Sequence, residues 1–271
     1  MGYSYSSISR ILDQKPLFEG KRVVTLGTLY PFLEKREIAL LLDRGVQSQM
    51  PKELFSKHLF VELLGAEVCH SLDVSDYQQS EIICNLNLPL PSELIDQYDV
   101  IIDAGTLEHL SNLSIAIENL FKLLSKDGIY YFTVPCNNWV NHGFYQFSPT
   151  FFIDLCLGNS SLELSGLSIL TSEKSYKYDE INPVFKNALL TSRKRLGVGG
   201  VIKKIGEDIN LDLIQSKYRQ EYLTRTATVN PTQSDFLVDL LRKIIMWFST
   251  SALFPLSLKK VIFDWVYKFK R

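Results

Sequence analysis

An open, mostly parallel α/β sheet with helices on both faces, continued by a mainly helical C-terminal extension, is the fold class that this sequence predicts. Three observations carry the prediction. Short apolar runs closing on glycine, aspartate or proline alternate with segments whose apolar residues recur every three or four positions, the pattern of buried parallel strands joined by helical crossovers. With 271 residues, 46% of them hydrophobic and 22% charged, the chain can bury one large domain, or one domain with a small appendage. From about residue 175 the alternation gives way to charged helical patterns, with no internal repeat.

The elements follow in order. Val23-Val24-Thr25-Leu26 ending in Gly27 reads as a first buried strand followed by a tight turn. Residues 33–42 and 53–64 carry helical spacing, with Gly45 and Gly65 as stops. Residues 66–74 read as a second strand containing Asp73, and 81–86 as a third, bounded by Asn87, Pro89 and Pro91. Residues 98–103 make the clearest strand, running into Gly105. The helix after it sets Leu110, Leu113, Ile117, Leu120 and Leu124 on one face, with Ser111 or Asn112 as its cap. Lys126-Asp127-Gly128 signals a turn, and 129–134 a fifth strand stopped by Pro135. The helical stretches 208–219 and 234–248 follow Gly197-Val198-Gly199-Gly200, which reads as a flexible turn; it lacks the Lys-Ser or Lys-Thr of a nucleotide loop.

Composition narrows the function. Lys and Arg total 29 against 30 Asp and Glu, a formal net charge of -1, so no global field draws the chain to nucleic acid, and a small-molecule partner is expected. Cys69, Cys84, Cys136 and Cys156 are widely spaced, without a Cys-x-x-Cys pair, and read as reduced thiols of a cytoplasmic protein. No secretory signal is read at the N-terminus. Residues 244–258 are uncharged and flanked by basic residues. They are too short for a bilayer span of about 20 residues, and Pro255 interrupts them; a buried helix is the favoured reading over peripheral membrane contact. No metal ligand set is read from the spacing of histidines and cysteines, and His58 and His70 are given no ligand role.

The segment YDVIIDAGTLEHL at 98–110, followed by a helix and then LLSKDGIYYFTVP at 123–135, resembles the fourth and fifth strand motifs of class I S-adenosylmethionine-dependent methyltransferases. GAEVCHSLDVS at 65–75 is similar to that family's second strand. The resemblance implies a Rossmann-like domain over 15–174, with the extension over 175–271, and S-adenosylmethionine as cofactor. It places Asp73 on the ribose hydroxyls, which a carboxylate accepts in pairs; the other reading is a turn aspartate capping the next segment. Asn87 falls where the family contacts adenine, or is a turn residue. Gly27, Thr28 and Gly105 line the cofactor. The family's Gly-x-Gly-x-Gly loop is here LGTLYP at 26–31, keeping only Gly27, and such glycines normally let backbone amides approach a ligand.

Methyl transfer to a hydroxyl needs an aligned nucleophile and a base. Glu108 and His109 follow the fourth strand at the crevice edge, where the resemblance places the transferred methyl. His109 is either the base or a structural hydrogen-bonding residue, and Glu108 either faces the acceptor or contacts a helix terminus. The loop 135–149 is dense in amide, imidazole and aromatic groups. Asn138, His142 and Tyr145 are read as lining an acceptor, and Phe147 as packing. The expected function is methyl transfer to a small-molecule or saccharide acceptor. The alternative is a non-catalytic methyltransferase-like binding or scaffold domain, which the reduced glycine loop favours. Binding of NAD or a nucleotide-sugar is a third reading, against which no Gly-x-Gly-x-x-Gly follows the first strand.

Overall fold

The structure, a computed structural model, describes residues 2–47, 51–172, 174–180, 190, 191, 193–209 and 211. The chain divides into two compact units, Met1–Glu180 with Lys194–Ser216, and Ile181–Arg193 with Lys217–Arg271. Nearly all of the second falls outside the described residues, as do the expected helices at 208–219 and 234–248 in their greater part and the uncharged run 244–258. Among the described residues no helix is long and apolar enough to cross a membrane.

The first unit is built on an eight-stranded sheet. Strands β2 (Arg22–Leu26), β4 (Val68–Asp73), β5 (Ile82–Ile83), β6 (Tyr98–Ala104) and β7 (Leu124–Asn137) are parallel, in the spatial order β5-β4-β2-β6-β7. Beyond β7 come β10 (Leu196–Lys204), β8 (Leu162–Leu170) and β9 (Ser175–Lys177), each antiparallel to its neighbour. A separate parallel pair joins β1 (Gly2–Tyr3) to β3 (Tyr30–Pro31).

Side-chain alternation along the strands builds a core on each face. In β6, Ile101 points to one side with Tyr130 and Phe132 of β7, under helices α4 (Leu113–Leu123) and α5 (Pro149–Leu157). Val100 and Ile102 point to the other with Ile129 and Tyr131, under α1 (Tyr5–Leu12), α2 (Lys35–Leu42), α3 (Lys52–Lys57) and the π-helical turn His58–Leu63. Both faces are thus covered, as the near-continuous apolar strands require, and the Rossmann-like architecture expected from the sequence is present.

Several boundaries differ from expectation. The largest correction concerns Gly197-Val198-Gly199-Gly200, which is no turn but part of β10, hydrogen-bonded between β7 and β8. The sheet therefore runs past residue 175 to Lys204, and the change of sequence character at 175 does not mark its end. The glycines give neighbouring side chains room. A Cβ on Gly199 would lie 2.6 Å from Arg10 Nη1 and 2.9 Å from the Phe132 carbonyl oxygen; on Gly200 it would lie 2.9 Å from Phe132 Cζ. Arg10 reaches there from α1, donating to the Tyr131 hydroxyl and to the Phe132 carbonyl at 3.2 Å.

Pro135 does not stop β7. The last β6 partner pairs at Thr133, so the missing proline N–H breaks no bond on that side, and pairing to β10 carries β7 on to Asn137. At the other end of β7, Asp127 takes a left-handed φ of 63° within a register shift, so the turn signal there is an irregularity inside the strand. Strand β5 keeps only two of its six expected residues. The Asn119 side chain of α4 holds the following backbone instead, accepting from Leu90 N–H and donating to the Leu86 and Leu88 carbonyls. Asn112 occupies the N-cap of α4, but its side chain makes no capping bond; the Asn87 amide oxygen accepts from its N–H at 2.9 Å.

At the amino ends of the strands, Arg22 of β2 clips Asp99 of β6. The Asp99 carboxylate accepts from the Arg22 guanidinium at 3.1 and 3.2 Å, from the Arg22 N–H at 2.9 Å and from Ser125 Oγ at 2.8 Å. Partial burial works against ionisation but is outweighed by these bonds, which hold the carboxyl down at about 2. Because the folded value lies below the unfolded one, the clip stabilises the fold above about pH 4, and that stability is lost as pH falls from about 4 toward 2. Urea midpoints measured from pH 5 down to 2.5 are therefore expected to fall more steeply for the natural chain than for Asp99→Asn. Parallel curves would count against the clip.

Candidate active site

The parallel strands all end on one edge of the sheet. From β2 the chain proceeds to β4 and β5 on one side, then to β6 and β7 on the other, so the connections diverge between β2 and β6, the switch point at whose carboxyl edge open α/β sheets bind ligands. Gly27 and Gly105 follow those two strands directly, with φ of 80° and 95°. The Thr106 hydroxyl donates to the Leu26 carbonyl at 2.7 Å and ties the two strand tips together.

The sequence-derived cofactor residues distribute around this edge. Asp73 ends β4, half-buried, with Oδ1 accepting from the Val74 N–H at 2.6 Å. Thr28 is buried, and its hydroxyl is bound to the Gln78 carbonyl at 3.0 Å and the Ser80 hydroxyl at 3.1 Å. Asn87 is committed within the fold: its oxygen accepts from Ser111 Oγ and Asn112 N–H, and its amide donates to Asn85 Oδ1. The rest of the 26–31 loop turns inward. Leu29 is fully buried, and Tyr30 and Pro31 pair with Gly2 and Tyr3.

Past β6 the chain makes a single 3-10 turn, Leu107–His109, and the three residues expected to face an acceptor come together there. The Glu108 side chain is fully buried, whereas those of His109 and His142 are 40% and 42% exposed. Glu108 Oε1 lies 3.8 Å from His109 Nε2 and 3.4 Å from His142 Nε2, and among the described residues neither carboxylate oxygen has a hydrogen-bond partner. The imidazole rings meet edge to face at 5.1 Å.

Main-chain bonds bring the distant loop in. The Glu108 carbonyl accepts from Phe144 N–H at 2.7 Å and from Tyr145 N–H at 3.2 Å. Trp139 braces His142, ring to ring at 5.1 Å, and is itself anchored by its indole N–H to the Leu196 carbonyl and by the Arg195 guanidinium over its ring. Asn138 donates to the Lys194 carbonyl, Tyr145 to the Ser111 carbonyl, and Phe147 is buried among Phe151 and Phe152. Asn138 and Tyr145 thus hold the loop.

A second buried carboxylate, Asp103, was not singled out by the sequence reading, although an aspartate two residues before a glycine at a strand end is a turn signal. Its Oδ1 accepts from the Gly105 and Thr106 N–H groups at 3.1 and 2.7 Å, and its Oδ2 from the Tyr130 hydroxyl at 2.7 Å. Burial raises both acids. Asp103 has three donors that favour its charged form; Glu108 has none among the described residues and is raised by burial first and then by the charge of Asp103. His109 and His142 are held below the usual imidazole value by burial, and His109 also by His142 beside it.

His58 and His70 have structural partners, Glu62 and the Gln47 N–H for the first, the Tyr98 hydroxyl for the second. All four cysteines are free.

No family model matches the sequence, and no curated protein matches it. Solved structures are similar in fold. The 1,6-didemethyltoxoflavin-N1-methyltransferase of Burkholderia thailandensis, solved with 1,6-didemethyltoxoflavin and S-adenosylhomocysteine, matches at 12% identity over 74% of this chain and 78% of its own, with a TM-score of 0.44. An S-adenosylmethionine-dependent methyltransferase of Mesorhizobium loti matches at 13% identity over 72% and 96%, TM-score 0.44. The [4+2]-cyclase SpnF matches at 11% over 73% and 79%, TM-score 0.40. Identities this low leave the function to the chain's own residues.

Proposed function

We propose that the chain is an S-adenosylmethionine-dependent methyltransferase that acts on a small-molecule or saccharide acceptor. The observation that carries this reading is the shared edge where the parallel strands end: Gly27 and Gly105 turn the backbone after β2 and β6, Asp73 ends the adjacent β4, and the Glu108, His109 and His142 cluster follows β6. When bound, the cofactor supplies an electrophilic methyl group on a sulfonium. Asp73 holds the ribose hydroxyls, with Oδ2 available while Oδ1 keeps Val74. Thr28 and Asn87, their side chains occupied, serve the cofactor through the backbone only. His109 and His142 present imidazole edges to the acceptor, and the Trp139 and Tyr145 loop keeps that end in place.

The inward turn of Leu29 and the pairing of Tyr30 and Pro31 with the N-terminal strand favour a second reading, a domain of this fold that binds a partner without catalysis. Calorimetric titration with S-adenosylmethionine and S-adenosylhomocysteine separates the two. The enzyme reading expects binding that Asp73→Ala weakens by roughly ten- to a hundredfold, the worth of a hydrogen bond to a charged group at about 1.5–3 kcal/mol. If the folded natural chain takes up neither ligand, the non-catalytic reading stands instead.

A further inference from the structure

We infer that Glu108, His109 and His142 form a binding site for one divalent first-row transition metal ion, with open coordination positions that take a hydroxyl or carboxylate oxygen of the acceptor. Binding of the metal is independent of the proposed function; the identity of the outer ligand as a methyl acceptor rests on that reading.

Each of the three residues offers one ligand atom, and the three atoms lie within 4.8 Å of one another. Nitrogen and oxygen ligands sit about 2.0–2.2 Å from such an ion, and so roughly 3–3.5 Å from each other. The 3.4 Å from Glu108 Oε1 to His142 Nε2 already fits that spacing, and the 3.8 Å to His109 Nε2 closes with a small rotation of a half-exposed ring.

The state of Glu108 is a second, separate observation. Its side chain is fully buried, and among the described residues neither oxygen has a hydrogen-bond donor. A buried carboxylate that makes no hydrogen bond is costly, and a cation shared with the two neighbouring imidazoles removes that cost. The chain also keeps space clear around it. A Cβ on Gly105 would stand 2.9 Å from Glu108 Oε1, and a Cβ on Gly143 would stand 2.8 Å from Glu108 Cγ and from its carbonyl oxygen. Gly143, with φ of 68°, follows His142 directly, so the same turn that admits Glu108 delivers the second imidazole.

The donor set selects the ion. Two imidazoles and one carboxylate suit zinc, manganese, iron or cobalt in the divalent state, whereas magnesium and calcium prefer oxygen throughout. Three protein ligands leave positions for a substrate. The exposed sides of the two histidine rings are where such a ligand enters. A hydroxyl bound there loses its proton to water: the O–H bond breaks, its electron pair stays on oxygen beside the cation, and no atom changes oxidation state. The imidazoles then hold the metal instead of taking the proton.

Calorimetry on the full chain, freed of metal with a chelator, tests the site. Zinc or manganese is expected to bind at about one equivalent, with magnesium at least about tenfold weaker. His142→Ala and Glu108→Gln are each expected to weaken binding by at least about a hundredfold, whereas His70→Ala leaves it unchanged. Circular dichroism shows whether each variant is folded; should Glu108→Gln unfold, His142→Ala, at a half-exposed position, decides. Failure of the folded natural chain to bind either metal overturns the inference, as does binding that survives in His142→Ala. Titrating the metal-free protein with S-adenosylmethionine keeps the questions apart. Cofactor binding without metal binding overturns the metal site alone, and metal binding without cofactor binding overturns the methyl-acceptor assignment of the outer ligand.

Discussion

Replacing Asp103 by alanine is expected to destabilise the fold by about 3–5 kcal/mol, because two buried donors and one partly buried donor lose their acceptor at once and each orphan costs about 1–3 kcal/mol before water or rearrangement recovers part of it. The donors are the N–H groups of Gly105 and Thr106 and the hydroxyl of Tyr130, around a carboxylate only 1% exposed. The turn they stabilise carries Glu108 and His109, so the variant should also loosen the cluster while leaving distant regions intact. Asp103→Asn is the milder change. Its remaining oxygen still accepts from both amides, and its NH₂ group donates to the Tyr130 oxygen, reversing that bond. A cost of about 1 kcal/mol is expected. Urea denaturation of the two variants checks the ordering, and an alanine variant within about 1 kcal/mol of the natural chain would show that the network carries little weight.

What the sequence disclosed and what it hid divide along physical lines. Strands β2 and β6 were legible because each is largely apolar on both faces and runs into a glycine, β4 because Val68, Cys69 and Leu72 lead to Asp73, and β7 through its apolar run 129–134, although not where it ends. The positions of Gly27, Asp73 and Gly105 at one edge follow from their parallel order. Glu108 and His109 were legible as neighbours after a strand. That His142 joins them depends on the Glu108 carbonyl capturing the Phe144 and Tyr145 amides, a bond between main-chain groups that no side-chain pattern announces. Spacing rules for metal ligands look for short intervals, so a pair split between positions 109 and 142 passes unseen. Asn87 shows the opposite failure. Its site suggested a ligand contact, but long-range bonds from Ser111 and Asn112 at the start of α4 take its oxygen. The N-terminal helix α1 was hidden by its serines, although Ser4 caps it and Ile8 and Ile11 pack on the sheet.

The glycine run in β10 is the sharpest case of local composition misleading, and it makes a prediction of large effect. Phe132 is fully buried, stacked 4.0 Å from Phe152 and 5.3 Å from Tyr130, so Phe132→Ala should cost about 3–5 kcal/mol as a core aromatic truncation. Its ring reaches this position because Gly200, on the neighbouring strand, has no side chain: a Cβ there would lie 2.9 Å from Phe132 Cζ and 2.8 Å from the Gly166 carbonyl oxygen. Gly200→Ala alone should therefore cost about 1–3 kcal/mol through overpacking. In the double variant the clash with the ring vanishes and the new methyl partly fills the cavity, while the contact with Gly166 persists. Relief is then partial, and the double variant should lose at least about 1 kcal/mol less than the sum of the singles. Additivity within about 0.5 kcal/mol would mean that the glycine serves the Gly166 backbone rather than the aromatic ring. Either way the glycine is fixed by what lies opposite it in the sheet, which is information that a run of glycines in a sequence does not contain.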